Sequence, residues 1–355
     1  MASGFSFRGI HSSRFGVYYI PDYSKMFDDR AEVSVYDNDI DWRDGGIYYG
    51  KRAKPRVFEL DCFYEDLDAR TYNQMKQWLE AGSEGRLILD ESPWKYYDVV
   101  LSKTMTGKKY IHQDEDSMKP LYSGTFTVTL TAYDPPYGKL LYQAVDQEDI
   151  HSGGAISECG IIPKENMPPA PSVNDRSFLI YNCGTSMTPC TIRIGGTTDA
   201  DGITITNETN GSACRISALP PETAYLEINS EDGSVKVVDP LTSRSEIAFE
   251  YHDLGYITLS PCESVFDEFM IQYTSGSSTA TIRSVVDAKQ YIGKYILVGG
   301  QWLRIIYATH DTIIVHKNFR SSGMAMVVPA TMNRLSISGN ATLNRLEVDW
   351  TPWVK

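Results

Sequence analysis

Six histidines are the first residues to weigh for chemistry: His11, His112, His151, His252, His310 and His316. None forms an H-x-H or H-E-x-x-H pair, the spacings that aim two imidazoles at one metal. His252 sits beside Asp253 and His310 beside Asp311. Neighbours on an extended chain point to opposite faces, so neither reads as an acid–base pair. The cysteines, Cys62, Cys159, Cys183, Cys190, Cys214 and Cys262, include no C-x-x-C, so zinc spacing is absent. They read as buried thiols of a reducing compartment, with a Cys183–Cys190 disulfide as the alternative. The glycine-rich loops do not precede helices and are turns rather than phosphate cradles. No G-x-S-x-G occurs. Asp and Glu are numerous, but no two stand in the setting of a glycosidase pair. Asp199-Ala200-Asp201-Gly202 opens like a calcium loop and lacks the later ligands and closing glutamate, so it reads as a turn. The expectation is a protein that is not an enzyme and has neither cofactor nor metal.

Aromatic residues are the remaining chemistry, and the composition is rich in them, with 23 Tyr and 6 Trp. Trp302, Tyr307, Trp350 and Trp353 could stack on sugar faces. Trp302 lies in an apolar run and reads as core. Trp350 and Trp353 are the candidate sugar or partner contacts. Trp42, Tyr48 and Tyr49 stand in an otherwise polar stretch, which suits an intersubunit contact. Trp78 and the acidic turn residues Asp114 and Asp116 complete the candidate contact set; the turn otherwise reads as a solvated loop end.

These residues need elements to position them. Ala69, Tyr72, Met75, Trp78 and Leu79 recur at spacings of three and four, which predicts a helix, with Asp66 or Asp68 as cap and Gly82 as stop. The rest reads as strands: Phe5–Ile10, Phe15–Ile20, Val33–Tyr36, Arg56–Phe63, Arg86–Asp90, Lys95–Leu101 and the clearest, Thr125–Ala132. Residues 37–56 read as a long loop or a hairpin arm. Val99–Tyr110 and Leu121–Tyr133 pair as a hairpin about the acidic turn. A lone amphipathic helix among strands must bury its stripe on a sheet. Residues 141–175 read as a linker. From 176, short strands with Gly195-Gly196, Asp201-Gly202, Asn210-Gly211 and Asp232-Gly233 turns predict an antiparallel sandwich. Strand count suggests a small β insertion at about 283–328, with Arg334–Ser338 and Leu343–Trp350 closing the sandwich.

The chain has 355 residues and a formal net charge of −13. That charge argues against a duplex-coating nucleic-acid binder, which needs basic stripes. No apolar run of about 18 residues exists, so no membrane insertion is expected. The opening Met1-Ala2-Ser3-Gly4-Phe5 lacks the basic and apolar regions of a secretory signal.

Residues 1–140 resemble the N-terminal domain of the distal tail (Dit) proteins of long-tailed bacteriophages. The likeness rests on Phe5-x-Phe7-x-Gly9-x-x-Ser12 with Phe15-Gly16, and on the strand Arg56-Val57-Phe58. It rests also on the helix followed by Leu87-x-Leu89-Asp90-x-x-Pro93 and Tyr96-Tyr97, and on Gly124-x-Phe126-x-Val128 ending in Ala132-x-Asp134-Pro135. Asn182-x-Gly184-Thr185, Ile192-x-Ile194-x-Gly196 and Asn207-x-Thr209-Asn210-Gly211 resemble the galectin-like C-terminal domain of the same family. The resemblance implies a mainly β fold: a tail-tube-like N-terminal sandwich with one flanking helix and an extended hairpin, then a galectin-like sandwich over 176–355. It implies a homohexameric ring at the tail tip, with helices and hairpins meeting neighbouring subunits. It implies further partners: the tail tube protein, the tail-associated lysin or fibre hub, and receptor-binding proteins or host glycan. The location implied is the virion tail, after synthesis in the host cytoplasm, with DNA only passing through the lumen, which the net charge of −13 predicts to be acidic. The alternative is a monomeric carbohydrate-binding module for cell-wall glycan.

Overall fold

A computed structural model describes residues 3–21, 31–39, 46–80, 84–103, 105–113, 119–142, 144–145, 162–221, 223–261, 268–284 and 286–354. Contacts divide the chain into two units, residues 1–141 with 354–355, and residues 142–353. The chain is mainly β, and among the described residues it holds one α-helix.

The first unit contains strands β1 (Phe5–Phe7), β2 (Ile10–His11), β3 (Val17–Tyr19), β4 (Val33–Asp39), β5 (Gly46–Ala53), β6 (Arg56–Asp68), then helix α1 (Ala69–Glu80). Strands β7 (Glu84–Leu89), β8 (Lys95–Leu101), β9 (Thr106–Gln113), β10 (Pro120–Ala132) and β11 (Gly138–Leu140) follow. The main sheet runs β2-β1-β7-β8-β10-β6-β3 and is antiparallel. Arg8 and Gly9 at positive φ fold the predicted Phe5–Ile10 strand into a tight hairpin. Phe58, Leu60, Cys62 and Tyr64 alternate inward along β6, as the period of two demands. One edge of β10 is shared: residues 120–127 pair with β9 and Leu130–Thr131 with β8.

The helix begins where Asp68 Oδ1 accepts the Thr71 amide at 2.8 Å, the ordinary device for a bare N-terminus. Gly82 lies outside the described residues. Met75, Trp78 and Leu79 are buried. The Trp78 ring stacks on Phe5 at 5.6 Å and Phe15 at 5.0 Å, and its indole N–H donates to the Phe7 carbonyl at 2.9 Å.

The second unit opens with β12 (Ala144–Val145) and β13 (Ile162–Pro163), a short parallel pair inside the predicted linker. Its sandwich uses β14 (Ser177–Ile180), β15 (Thr188–Thr198), β16 (Ile203–Asn207), β17 (Ala213–Ile216), β18 (Tyr225–Asn229), β19 (Ser234–Asp239), β20 (Arg244–Ile247), β21 (His252–Leu254) and β22 (Thr258–Leu259). After an insertion come β29 (Asn333–Ser338) and β30 (Ala341–Trp350); the insertion holds β23 (Phe269–Tyr273), β24 (Thr279–Ile282), β25 (Tyr295–Val298), β26 (Gln301–Ala308), β27 (Thr312–Val315) and β28 (Gly323–Val327). One sandwich sheet is β14-β29-β16-β17-β21; the other is β20-β19-β18-β15-β22, with β30 along β15. Ile192, Ile194, Ile205, Ile216, Leu226 and Leu335 fill the space between.

The insertion is larger than the predicted 283–328. Its sheet, β25-β26-β27-β24-β23-β28, begins at Phe269, because β23 and β24 find their partners in β28 and β27. Paired backbone bonds between Tyr295 and Ala330, at 2.8 and 2.7 Å, join its two ends into a barrel with a separate core. The C-terminal boundary also shifts, since Val354 belongs with the first unit.

Three fully buried asparagines clamp the place where the insertion leaves and re-enters the sandwich. Asn333 accepts the Ser260 amide at 2.7 Å and donates to the Ser260 carbonyl at 3.0 Å. Asn207 donates to Asn333 Oδ1 and to the Thr258 carbonyl, each at 2.8 Å. Asn182 donates to the carbonyls of Leu259 and Ser260. Buried amides survive only with such partners, and here they replace the ladder that the insertion interrupts.

Candidate assembly interface

Two hairpins carry exposed apolar residues on neighbouring strand positions. In the first, β4 pairs with β5 from Val33–Ala53 to Asp39–Gly46, with an irregularity beside Tyr36. Val35 and Tyr36 are 56 % and 53 % exposed, and as strand neighbours they point to opposite sides. In the second, every residue of β9 is exposed, Tyr110 at 60 % and Ile111 at 58 %. Its faces therefore both show apolar side chains to solvent.

The root of the second hairpin is built tightly. A Cβ on Gly107 would lie 2.2 Å from the Thr125 carbonyl, and one on Gly124 would lie 2.2 Å from the Lys108 carbonyl. Only glycine fits either place. The register slips between Tyr122 and Gly124, and Ser123 there bonds the Asp66 amide at 3.0 Å. His112 reaches Asp66 at 2.9 Å. Between hairpin root and helix lies a cleft of about 170 Å³ lined by Tyr64, Tyr72, Met75, Lys109 and Phe126. Tyr72 stacks on Tyr122 at 4.8 Å, and Lys109 Nζ lies 5.7 Å from each ring. Burial, then the neighbouring Tyr72 phenol, pushes the Tyr64 phenol up to about 12.

The predicted contact residues have different fates. Trp78 is a correction: it is 6 % exposed and belongs to the core, because strand β1 and Phe15 cover the helix stripe within the same chain. Tyr48 pairs with Asp37 in the first arm, and Tyr49 follows in the same strand. Trp42, Asp114 and Asp116 lie outside the described residues. Trp350 is half-buried and packs on the sandwich core, and Trp353 is half-buried with its amide on Thr188 Oγ1. Trp302 stacks on Tyr181 and donates to the Asn166 carbonyl at 2.8 Å. Tyr110 and Ile111 escaped notice. Their signal was two adjacent apolar residues in a polar strand, a pattern that gives neither face a core.

Acid–base pairs do not form at the sequence-neighbour histidines. His252 contacts the Gly255 carbonyl while Asp253 pairs with Arg215. His310 Nδ1 and Asp311 Oδ1 are 3.9 Å apart in the open. Cys62, Cys183, Cys190 and Cys214 are buried thiols, and no Cys183–Cys190 bridge exists. Burial pushes the thiols of Cys62, Cys190 and Cys214 up to about 12. Asp199–Gly202 is a turn closed by the Gly202 amide on the Asp199 carbonyl.

Residues 15–132, which span the helix, both hairpins and the core strands, match the family model of the phage tail protein RIFT-related domain. That stretch of the first unit thus carries a phage tail protein RIFT-related domain. Among solved structures the chain is similar to the Dit protein of phage SPP1, described as a paradigm of the hub adsorption apparatus in phages infecting Gram-positive bacteria. That match has 10 % identity, covers 95 % of this chain and 100 % of that one, and has a TM-score of 0.44. It is also similar to a chain of the phage P2 baseplate in its activated conformation with calcium, at 7 % identity, 96 % and 99 % coverage and a TM-score of 0.39. No curated protein sequence matches it.

Proposed function

We propose that this chain is one subunit of a hexameric ring at the tip of the tail. The ring joins the tail tube to the tail-associated lysin or fibre hub, and DNA passes through it. The second unit holds receptor-binding proteins or touches the host surface, and the protein has no enzymatic role. The supporting observation is β9, which exposes apolar residues on both faces. β9 is an edge strand, bonded to β10 on one side while β10 pairs with β6 on its other, so a long exposed edge with Tyr110 and Ile111 uncovered fits a place among neighbouring copies. A net charge of −13 suits a conduit for DNA, which carries one charge per about 1.7 Å of axis.

Light scattering on the purified chain, followed by negative-stain imaging, tests the reading. Rings of six, alone or on added tail-tube protein, are the expected result. A chain that stays monomeric with both the tube and the hub protein, or a ring whose channel is lined with Lys and Arg, overturns it.

A further inference from the structure

Strand β26 breaks its own alternation. Leu303 and Ile305 are fully buried, and a regular strand would send Tyr307 into the barrel after them. A register shift between Ile305 and Tyr307 inserts one residue, so Ile306 and Tyr307 both face solvent and Ala308 returns to the core. Bulges of this kind re-aim a side chain. Here the re-aimed ring, 53 % exposed, stands on the rim of an open groove of about 1030 Å³.

The polar groups of that groove are held in place. Thr309 Oγ1 donates to Asp311 Oδ1 at 2.7 Å and accepts the Thr312 amide at 3.1 Å. The Ile282 amide donates to the Asp311 carbonyl at 2.7 Å. The Thr309 hydroxyl keeps the Asp311 carboxyl below its usual range, so an ionised acceptor is present at neutral pH. Arg283, on the same groove, is steadied by its Nε on Gln272 Oε1 at 3.0 Å. Ser284, Asp287, Lys289 and His310 complete the polar lining. Charged residues are depleted from the centres of protein interfaces, which argues against a protein seat. One exposed ring face beside fixed donors and acceptors matches a pyranose, whose C–H face stacks while its hydroxyls pair.

We propose that the groove between the β26 bulge and the Thr309–Thr312 turn binds a pyranose unit of a bacterial surface polysaccharide, with Tyr307 as the stacking face, Asp311 as hydroxyl acceptor and Arg283 as donor. This rests on the adsorption role proposed above. So open a site, with one stacking face, holds one sugar weakly, on the order of millimolar, and several copies in a ring raise that by avidity.

The test uses the full chain on a printed array of bacterial surface oligosaccharides, with saturation-transfer NMR on each saccharide bound. The expected result is binding to at least one saccharide, weakened about tenfold by Tyr307→Ala, little by Tyr307→Phe, and about fivefold by Asp311→Asn. Thermal melts confirm that each variant is folded. A blank array, binding unchanged in Tyr307→Ala, or binding lost instead in Trp350→Phe overturns the proposal. So does a tail protein that needs Tyr307 while no saccharide binds. Light scattering on the same samples, alone and with added tube and hub proteins, separates the two readings: rings without sugar binding sink only this site, and sugar binding by a chain that stays monomeric with both proteins sinks only the hub.

Discussion

Helix α1 and strand β9 flank the same cleft and treat their apolar residues in opposite ways. The helix turns Met75, Trp78 and Leu79 into the core, where Phe5 and Phe15 enclose the indole. The strand leaves Tyr110 and Ile111 in water on opposite faces. A helix concentrates its apolar residues on one stripe, which a single sheet can cover. An edge strand with apolar residues on both faces needs covers on two sides, and among the described residues β9 has neither over Tyr110 and Ile111. Apolar residues inside thus stabilise the monomer, and apolar residues on the arm are free to stabilise an assembly.

The largest test of that contrast is Trp78→Ala. It should cost about 3–5 kcal/mol in urea unfolding, from lost burial and the cavity left behind. A loss under about 1 kcal/mol would mean that the helix stripe is not core. Next comes Asn333→Ala in the second unit. It strands the Ser260 amide and the Asn207 side chain, so a loss of about 2–3 kcal/mol is expected, read by the same unfolding curve.

A smaller effect is alkaline. The thiols of Cys62, Cys190 and Cys214 rise from 9.0 to about 12 on folding. Between those values the unfolded chain loses protons that the folded chain keeps, so stability falls as pH rises from 9 towards 12. The urea midpoint should fall less steeply over that range in Cys62→Ala than in the parent. In the native protein at pH 8, Ellman's reagent should find these thiols unreactive. The smallest change in stability belongs to the double variant Tyr110→Ser with Ile111→Ser, within about 0.5 kcal/mol. The same variant should abolish rings in negative stain. Intact rings would remove β9 from the assembly surface.

The helix was legible because its spacing, its cap Asp68 and its apolar stripe all agree. The strands of the N-terminal sheet were legible from alternation, above all in β6 and β10. Other features hid for physical reasons. The turn at Arg8-Gly9 falls within an alternating run, and alternation does not report where a strand folds back on itself. The start of the insertion was missed because Phe269–Tyr273 and Thr279–Ile282 look like any short strands; only their partners assign them to the barrel. Trp78 was offered as a partner contact because a sequence does not say whether a helix stripe is covered from within or from outside.

By itself the sequence determined which segments are strands, where the helix lies, the lack of metal-site and nucleophile spacings, and the tail-protein signature of the first 140 residues. Those depend on local period, turn chemistry and motif order, which short stretches of chain carry. Tertiary structure alone decided that Asn182, Asn207 and Asn333 meet around Ser260, that Trp78 is enclosed, and that a bulge turns Tyr307 outward. Each depends on a partner tens of residues away, or on a single-residue slip in register, and composition is blind to both.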